Sequence, residues 1–215
     1  MDFETWAPFY EQILKDFGFA REKDEAVAAE LDKLLGGNRV PDASLRKILR
    51  GKDVTVAGNG PNLQEEIEEA RGVLVTADEA TSVAVGQGLV PAILVTDLDG
   101  DVADQVKANA EGAIAVIHGH GDNGPAAREW APRFSGPTVA TTQSRPLGRL
   151  RNFGGFTDGD RAVFLADHFG AARIQLVGFD FERPNAKDVD RRTKQRKLDW
   201  AYILLGSLDR DELEL

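Results

Sequence analysis

The sequence predicts an α/β fold of the Rossmann-like, doubly wound kind: a mostly parallel six-stranded sheet with an amino-terminal helical segment. Three observations predict it. Six short runs rich in β-branched residues recur after residue 52, mostly apolar rather than alternating, as strands covered on both faces are. Amphipathic stretches of helical spacing separate those runs. Each run ends in a cluster of glycine, Asp, Asn, His or Gln, on the edge where open α/β sheets bind ligands.

Taken in order, residues 1–51 form an amino-terminal helical segment, and 52–215 form the α/β domain. In the first helix Trp6, Phe9, Tyr10, Ile13, Leu14 and Phe17 recur at spacings of three and four, and Gly18 can end it. A second helix runs from about 22 to 35 and stops at Gly36-Gly37. A short third covers 43–49 and ends at Gly51. The strands are DVTVA (53–57), GVLVT (72–76), AILVT (92–96), AIAVI (113–117), TVAT (138–141) and RIQLV (173–177). Helices fall near 63–71, 80–87, 101–110, 125–131 and 160–169, and a last one near 190–206.

Composition narrows the function. The 215 residues include no cysteine, which excludes disulfide scaffolds, thiolate zinc sites and cysteine nucleophiles. A net charge of −10 argues against general nucleic-acid binding, which needs a broad positive surface. No apolar run reaches the roughly 20 residues that span a bilayer, and the acidic start is no signal peptide, so a cytoplasmic location without a membrane partner is expected. Asp (21) exceeds Glu (15) and Arg (17) exceeds Lys (9), a balance that suits either a high-salt surface or plain solubility.

The residues after the strands carry the chemistry. GNGPN (58–62) opens a helix directly after a strand, so Gly58, Asn59, Gly60 and Asn62 are placed to meet a phosphate, although a tight strand–helix turn explains the same residues. Asp78 in ADEAT (77–81), Asp97 and Asp99 in TDLDGD (96–101), and Asp122 in HGHGDN (118–123) bring carboxylates to one edge. Their repulsion calls for a hard cation such as Mg²⁺. D-x-D on an extended segment puts Asp97 and Asp99 on one side, because side chains alternate. His118, His120 and Asn123 are expected to contact substrate or phosphate, with ordinary loop hydrogen bonding as the alternative, and His168 sits in a helical pattern as a structural residue. NFGGFTDGDRA (152–162) enters a helix. Asp158 can cap it, but two glycines, two aspartates and Arg161 exceed what a cap requires. Phe153 and Phe156 can face a flat ring or join the core. Lys187, Arg191, Arg192, Lys194, Arg196 and Lys197 read mostly as a solvated face, from which one or two can reach over the active edge.

GNGPNL, ADEA, TDLDGD, HGHGDN, TTQ, NFGGFTDGDRA, GFDF and the final K-x-x-K-L (194–198) together resemble the archaeal 6-hydroxymethyl-7,8-dihydropterin pyrophosphokinase family over nearly the whole chain. ADEA and TDLDG are also similar to stretches of the thiamine pyrophosphokinase catalytic domain. The resemblance implies Mg²⁺-dependent transfer of diphosphate from ATP to the hydroxymethyl group of a dihydropterin, with AMP released, in tetrahydromethanopterin or folate synthesis. It implies a possible homodimer only through the related fold. Carried over by motif, Asp78, Asp97, Asp99 and Asp122 form the metal and phosphate site, with Asp97, Asp99 and Asp122 catalytic. Gly58, Asn59, Gly60, Asn62, Asp78, His118, His120, Asn123, Thr142, Gln143, Gly154, Gly155, Asp158, Asp160, Arg161, Lys194 and Lys197 make up the ligand-binding set. The chain departs from the family pattern at Asn62, where serine is expected, at Glu79, where glycine is expected, and at Ala92, where aspartate is common. TDLDGD also resembles the nucleophile motif of haloacid-dehalogenase-type phosphatases, which would make Asp97 a phosphorylated nucleophile. A non-catalytic nucleotide-binding module is the third reading.

Overall fold

A computed structural model describes residues 1–185, 188–210 and 213. Its six strands are β1 (Asp53–Ala57), β2 (Val73–Ala77), β3 (Ile93–Thr96), β4 (Ile114–Gly119), β5 (Thr138–Thr142) and β6 (Arg173–Val177). All pair in parallel, in the order β5-β4-β3-β2-β1-β6. The helices are α1 (Phe3–Phe17), α2 (Arg21–Leu34), α3 (Asp42–Leu49), α4 (Leu63–Glu66), α5 (Ala80–Gly86), α6 (Val102–Ala110), α7 (Gly124–Trp130), α8 (Asp158–His168) and α9 (Arg191–Leu205). Among the described residues no helix is long and apolar enough to cross a membrane.

The strand order explains the layers. From β1 to β5 the chain steps steadily one way, so right-handed crossovers put α4, α5, α6 and α7 on one face. The β5–β6 connection returns past the whole sheet and lays α8 on the other face. Alternate strand residues fill the two cores. Val54, Val56, Val75, Val95, Val116 and Ile174 meet α1, α3, α8 and α9. Leu94, Ala115, Ile117 and Ala140 meet α2, α6 and α7, and Ala57, Leu74 and Val177 meet α4 and α5. The amino-terminal helices are divided between these faces. Trp6, Tyr10, Ile13 and Leu14 of α1 lie in the first core, and Ala28 and Leu31 of α2 in the second. Residues 1–51 are thus built into both sides of the sheet.

Local signals set the boundaries. Asp2 caps α1 through the Thr5 N–H, and Gly18 ends it in the left-handed conformation. The helix expected near 63–71 is a single turn of α followed by a 3-10 turn over Ile67–Glu69. The helix expected from 160 begins earlier, at Asp158.

Candidate active site

The carboxyl ends of the strands and the first turn of α8 enclose a cleft of about 700 Å³. It is lined by Asn59 after β1, Asp78 after β2, Asp97 after β3, His120 after β4, Gln143 after β5 and Phe179 after β6. Asp158 and Arg161 of α8 and Lys194 and Lys197 of α9 close it from the other face.

Carboxylate oxygens of Asp78, Asp97 and Asp158 lie within 4.8 Å of one another. Their charges do not sit there freely. Burial, then the charges of Asp158 and Asp97, pushes Asp78 well above the usual carboxylate range. Burial and the Asp97 charge likewise raise Asp158. Burial opposes ionisation of Asp97 too, but the His120 hydrogen bond at 3.1 Å and the charges of His120, Arg161 and Lys197 hold it below the usual range. The backbone is strained at the same place. Asp78 has φ 45°, a conformation that short polar residues tolerate, and Leu98 has φ 69°, which they alone among non-glycine residues adopt readily. Three carboxylate oxygen ligands of hard character fit a hard divalent cation better than copper or a thiolate-bound zinc.

The structure therefore redraws the expected acidic set. Asp78 and Asp97 converge as expected, and the third member is Asp158. Asp99 and Asp122 line the cleft but are exposed at its mouth, outside the triad. The D-x-D argument fails because Leu98 is left-handed: the chain turns at that residue, buries Leu98 under the sheet and carries Asp99 outward, where its Oδ1 accepts from the Gly100 N–H at 2.7 Å. Asp158 is the first helical residue and not the cap, a role that falls to Thr157.

Several expected ligand contacts are instead structural. The N–H groups of Gly58 and Gly60 already donate to Val177 O and Gly178 O, so they supply no donors to an anion. These glycines are required by packing, since a Cβ on Gly60 would lie 2.6 Å from Gly178 O. Asn62 donates to Glu66 and to Phe179 O. His118 is buried beneath the cleft floor, its Nδ1 paired with Thr141 Oγ1 at 2.9 Å, and burial with the Arg161 charge keeps its ring neutral. Asn123 bridges Asp97 O and His118 O, each at 2.7 Å. Thr142 accepts from the Ser144 N–H. Gly154 packs against Met1, and Gly155, at φ 91°, passes so near Arg161 that a Cβ would come within 2.6 Å of Arg161 Cα. Asp160 spends its oxygens on the N–H groups of Phe156 and Thr157 at 2.6 and 2.7 Å. Gly58, Asn59, Gly60, His120, Gln143, Asp158, Arg161, Lys194 and Lys197 line the cleft. His168 stands at the far end of α8, tilted against Phe153. Phe153 and Phe156 both belong to the core, and Phe156 also lines the cleft. Lys187 lies outside the described residues.

Residues 29–186 match the model of the family described as 6-hydroxymethylpterin diphosphokinase MptE-like. A 6-hydroxymethyl-7,8-dihydropterin pyrophosphokinase of Methanothermobacter thermautotrophicus is 41% identical, covering 98% of this chain and 97% of its own. The chain belongs to the MptE-like diphosphokinase family. Proteins of the same description from Methanocaldococcus jannaschii (34% identical, 100% of this chain and 98% of the relative) and Pyrococcus furiosus (43% identical, 84% and 79%) are also similar.

Within this MptE-like chain, two of the departures from the family pattern have structural accommodation. Glu79 accepts from Asn59 Nδ2 at 2.9 Å, tying the loops after β1 and β2 across the cleft. Asn62 holds the β6 loop by donating to Phe179 O at 3.1 Å. Ala92 lies before β3, remote from the cleft lining. Sequence reasoning missed Asp24 and Lys23 of α2 and Phe19, and quoted GFDF without giving Phe179 and Phe181 a role; all five line the cleft. Asp24 left a signal of its own: an acid that the 3.6-residue period places on the same face as buried Ala28 and Leu31.

Proposed function

We propose that the protein is a 6-hydroxymethyl-7,8-dihydropterin pyrophosphokinase that moves diphosphate from ATP to the pterin hydroxymethyl oxygen in the cytoplasm, in tetrahydromethanopterin or folate synthesis. The observation that carries this reading is the convergence of Asp78, Asp97 and Asp158 in the cleft of a chain whose relatives bear that description. In the reaction the hydroxymethyl oxygen gives up its proton and bonds to the β-phosphorus, the bond from that phosphorus to the α,β-bridging oxygen breaks, and AMP leaves carrying that oxygen. Such transfer needs alignment and charge neutralisation more than a covalent nucleophile.

Asp78, Asp97 and Asp158 would hold Mg²⁺, which when bound offsets the charge of the transferring phosphates. His120 keeps Asp97 anionic and fixes its carboxylate. Arg161, anchored on Asp158 at 3.0 Å and on Gln143 at 3.1 Å, presents a fixed positive charge over the triad. Lys194 and Lys197 add mobile charge from α9. Phe19, Phe156, Phe179 and Phe181 give the cleft flat apolar surfaces for a ring.

The test is a single incubation with ATP, Mg²⁺ and either hydroxymethyl-dihydropterin or thiamine, followed by separation of AMP, ADP and phosphate. AMP formation that depends on the pterin is expected. Transfer to thiamine, or release of phosphate with no AMP formed in the presence of the pterin, would overturn the assignment.

A further inference from the structure

A buried polar chain leads from α1 to the triad. Tyr10 donates its hydroxyl to Asp24 Oδ2 at 2.6 Å, and Gln143 Nε2 donates to the same oxygen at 3.2 Å. The Gly121 N–H donates to Asp24 Oδ1 at 2.7 Å. Gln143 Oε1 then accepts from Arg161 Nη2 at 3.1 Å, and Arg161 Nη1 donates to Asp158 Oδ1 at 3.0 Å. All five side chains are more than nine-tenths buried. The Gln143 carbonyl is pinned separately by Trp6 Nε1 at 2.7 Å and Asn152 Nδ2 at 2.9 Å, so only its side-chain amide can respond to a change.

The order of donors and acceptors along this chain has one solution. Arg161 only donates, so Gln143 must turn its oxygen toward it and its NH₂ toward position 24. That NH₂ then requires an acceptor, which the Asp24 carboxylate supplies. We infer that Asp24 is a positioning residue for diphosphate transfer: through Gln143 it fixes the guanidinium of Arg161 against Asp158, and through Gly121 it fixes the loop that carries His120. The kinetic part of this inference rests on the pyrophosphokinase reading, but its structural part does not.

The isosteric change Asp24→Asn keeps volume and removes the solution. If the new oxygen stays on the Gly121 N–H, the new NH₂ confronts the NH₂ of Gln143. If Gln143 flips to meet it, its own NH₂ confronts Arg161. If the new amide flips, its NH₂ confronts the Gly121 N–H. Gln143→Glu alone sets two carboxylates face to face. The double variant restores the pairings on the path to the triad: the new amide donates to the introduced glutamate, which still accepts from Arg161, while the amide oxygen still accepts from Gly121; Tyr10 alone has to change role, its hydroxyl oxygen accepting from the new NH₂. The net charge of the chain is unchanged from the parent.

The experiment is this double-mutant cycle, read by Mg²⁺ titration calorimetry, by kcat and KM in the pterin assay, and by thermal melting. Each single variant is expected to lose about tenfold to hundredfold in Mg²⁺ affinity and kcat, with KM for the pterin little altered. The double variant is expected to recover most of both. The decisive comparison lies within the Gln143→Glu background, where adding Asp24→Asn must improve the protein, so a single Asp24→Asn variant that fails to fold does not spoil the test. Parent-like Mg²⁺ affinity and kcat in a folded Asp24→Asn variant would overturn the inference, as would a double variant no better than Gln143→Glu. Absence of diphosphate transfer by the parent would overturn the function reading alone, since the Mg²⁺ cycle would still report on Asp24.

Discussion

At the scale of single residues, the site is a problem in charge. Asp97 is the triad carboxylate whose neighbours favour its ionised form, and Asp97→Asn removes both a hard ligand and the partner of His120. A fall in kcat of about 10²–10³ is expected, comparable to losing one preorganised electrostatic contact, with the melting temperature nearly unchanged. Tyr10 gives a pH signature. Burial first, then its hydrogen bond to Asp24, raises its hydroxyl above the usual tyrosine value. A raised folded-state value means that the contribution is complete below about pH 10 and is lost as pH climbs from there toward the folded value. Denaturant titrations should show stability declining above pH 10. Tyr10→Phe should cost about 2 kcal/mol at neutral pH, from the bond to a buried carboxylate, and should flatten that decline.

At the scale of elements, legibility followed periodicity. The strands are legible to within two residues because a covered parallel strand is a short, mostly apolar, β-branched run. Asp78 and Asp97 were legible because each directly follows such a run. Asp158 was not assigned to the metal because its place depends on α8 crossing to the opposite face, and no local spacing encodes that crossing. Asp99 was misplaced because alternation was extended one residue past the strand, into the left-handed Leu98. Asp160 shows the same limit, as a carboxylate in a motif that serves a cap. Asp160→Ala would strand the buried N–H groups of Phe156 and Thr157, and about 3 kcal/mol of stability should go with them in chemical denaturation. Where the β1 and β6 loops meet, Gly178 has φ 68° and a Cβ there would approach Gly58 O to 2.5 Å. Gly178→Ala should therefore destabilise by about 2 kcal/mol or more and lower nucleotide affinity by parting the loops, which melting and calorimetry can measure together.

At the scale of the whole molecule, the sheet is a wall with one return crossing, and the amino-terminal helices grip it from both sides. The sequence separated 1–51 from the rest because its pattern is purely helical; packing joins them, since Trp6, Tyr10, Ile13 and Leu14 close one core while Ala28 and Leu31 close another. The matched family region begins at residue 29, but a shortened chain starting there would expose the sheet face under α1. Four large side chains at about 1.5–3 kcal/mol each amount to roughly 6–12 kcal/mol, close to the entire stability of an ordinary domain. Circular dichroism of that truncated chain should show loss of cooperative melting. The same straddling arrangement has a consequence for biosynthesis. Because α1 and α2 precede the sheet in the chain, they have no surface to settle on until β4, β5 and α8 have been made, so a nascent chain stalled before α8 holds these two helices ready but has no cleft for them to complete.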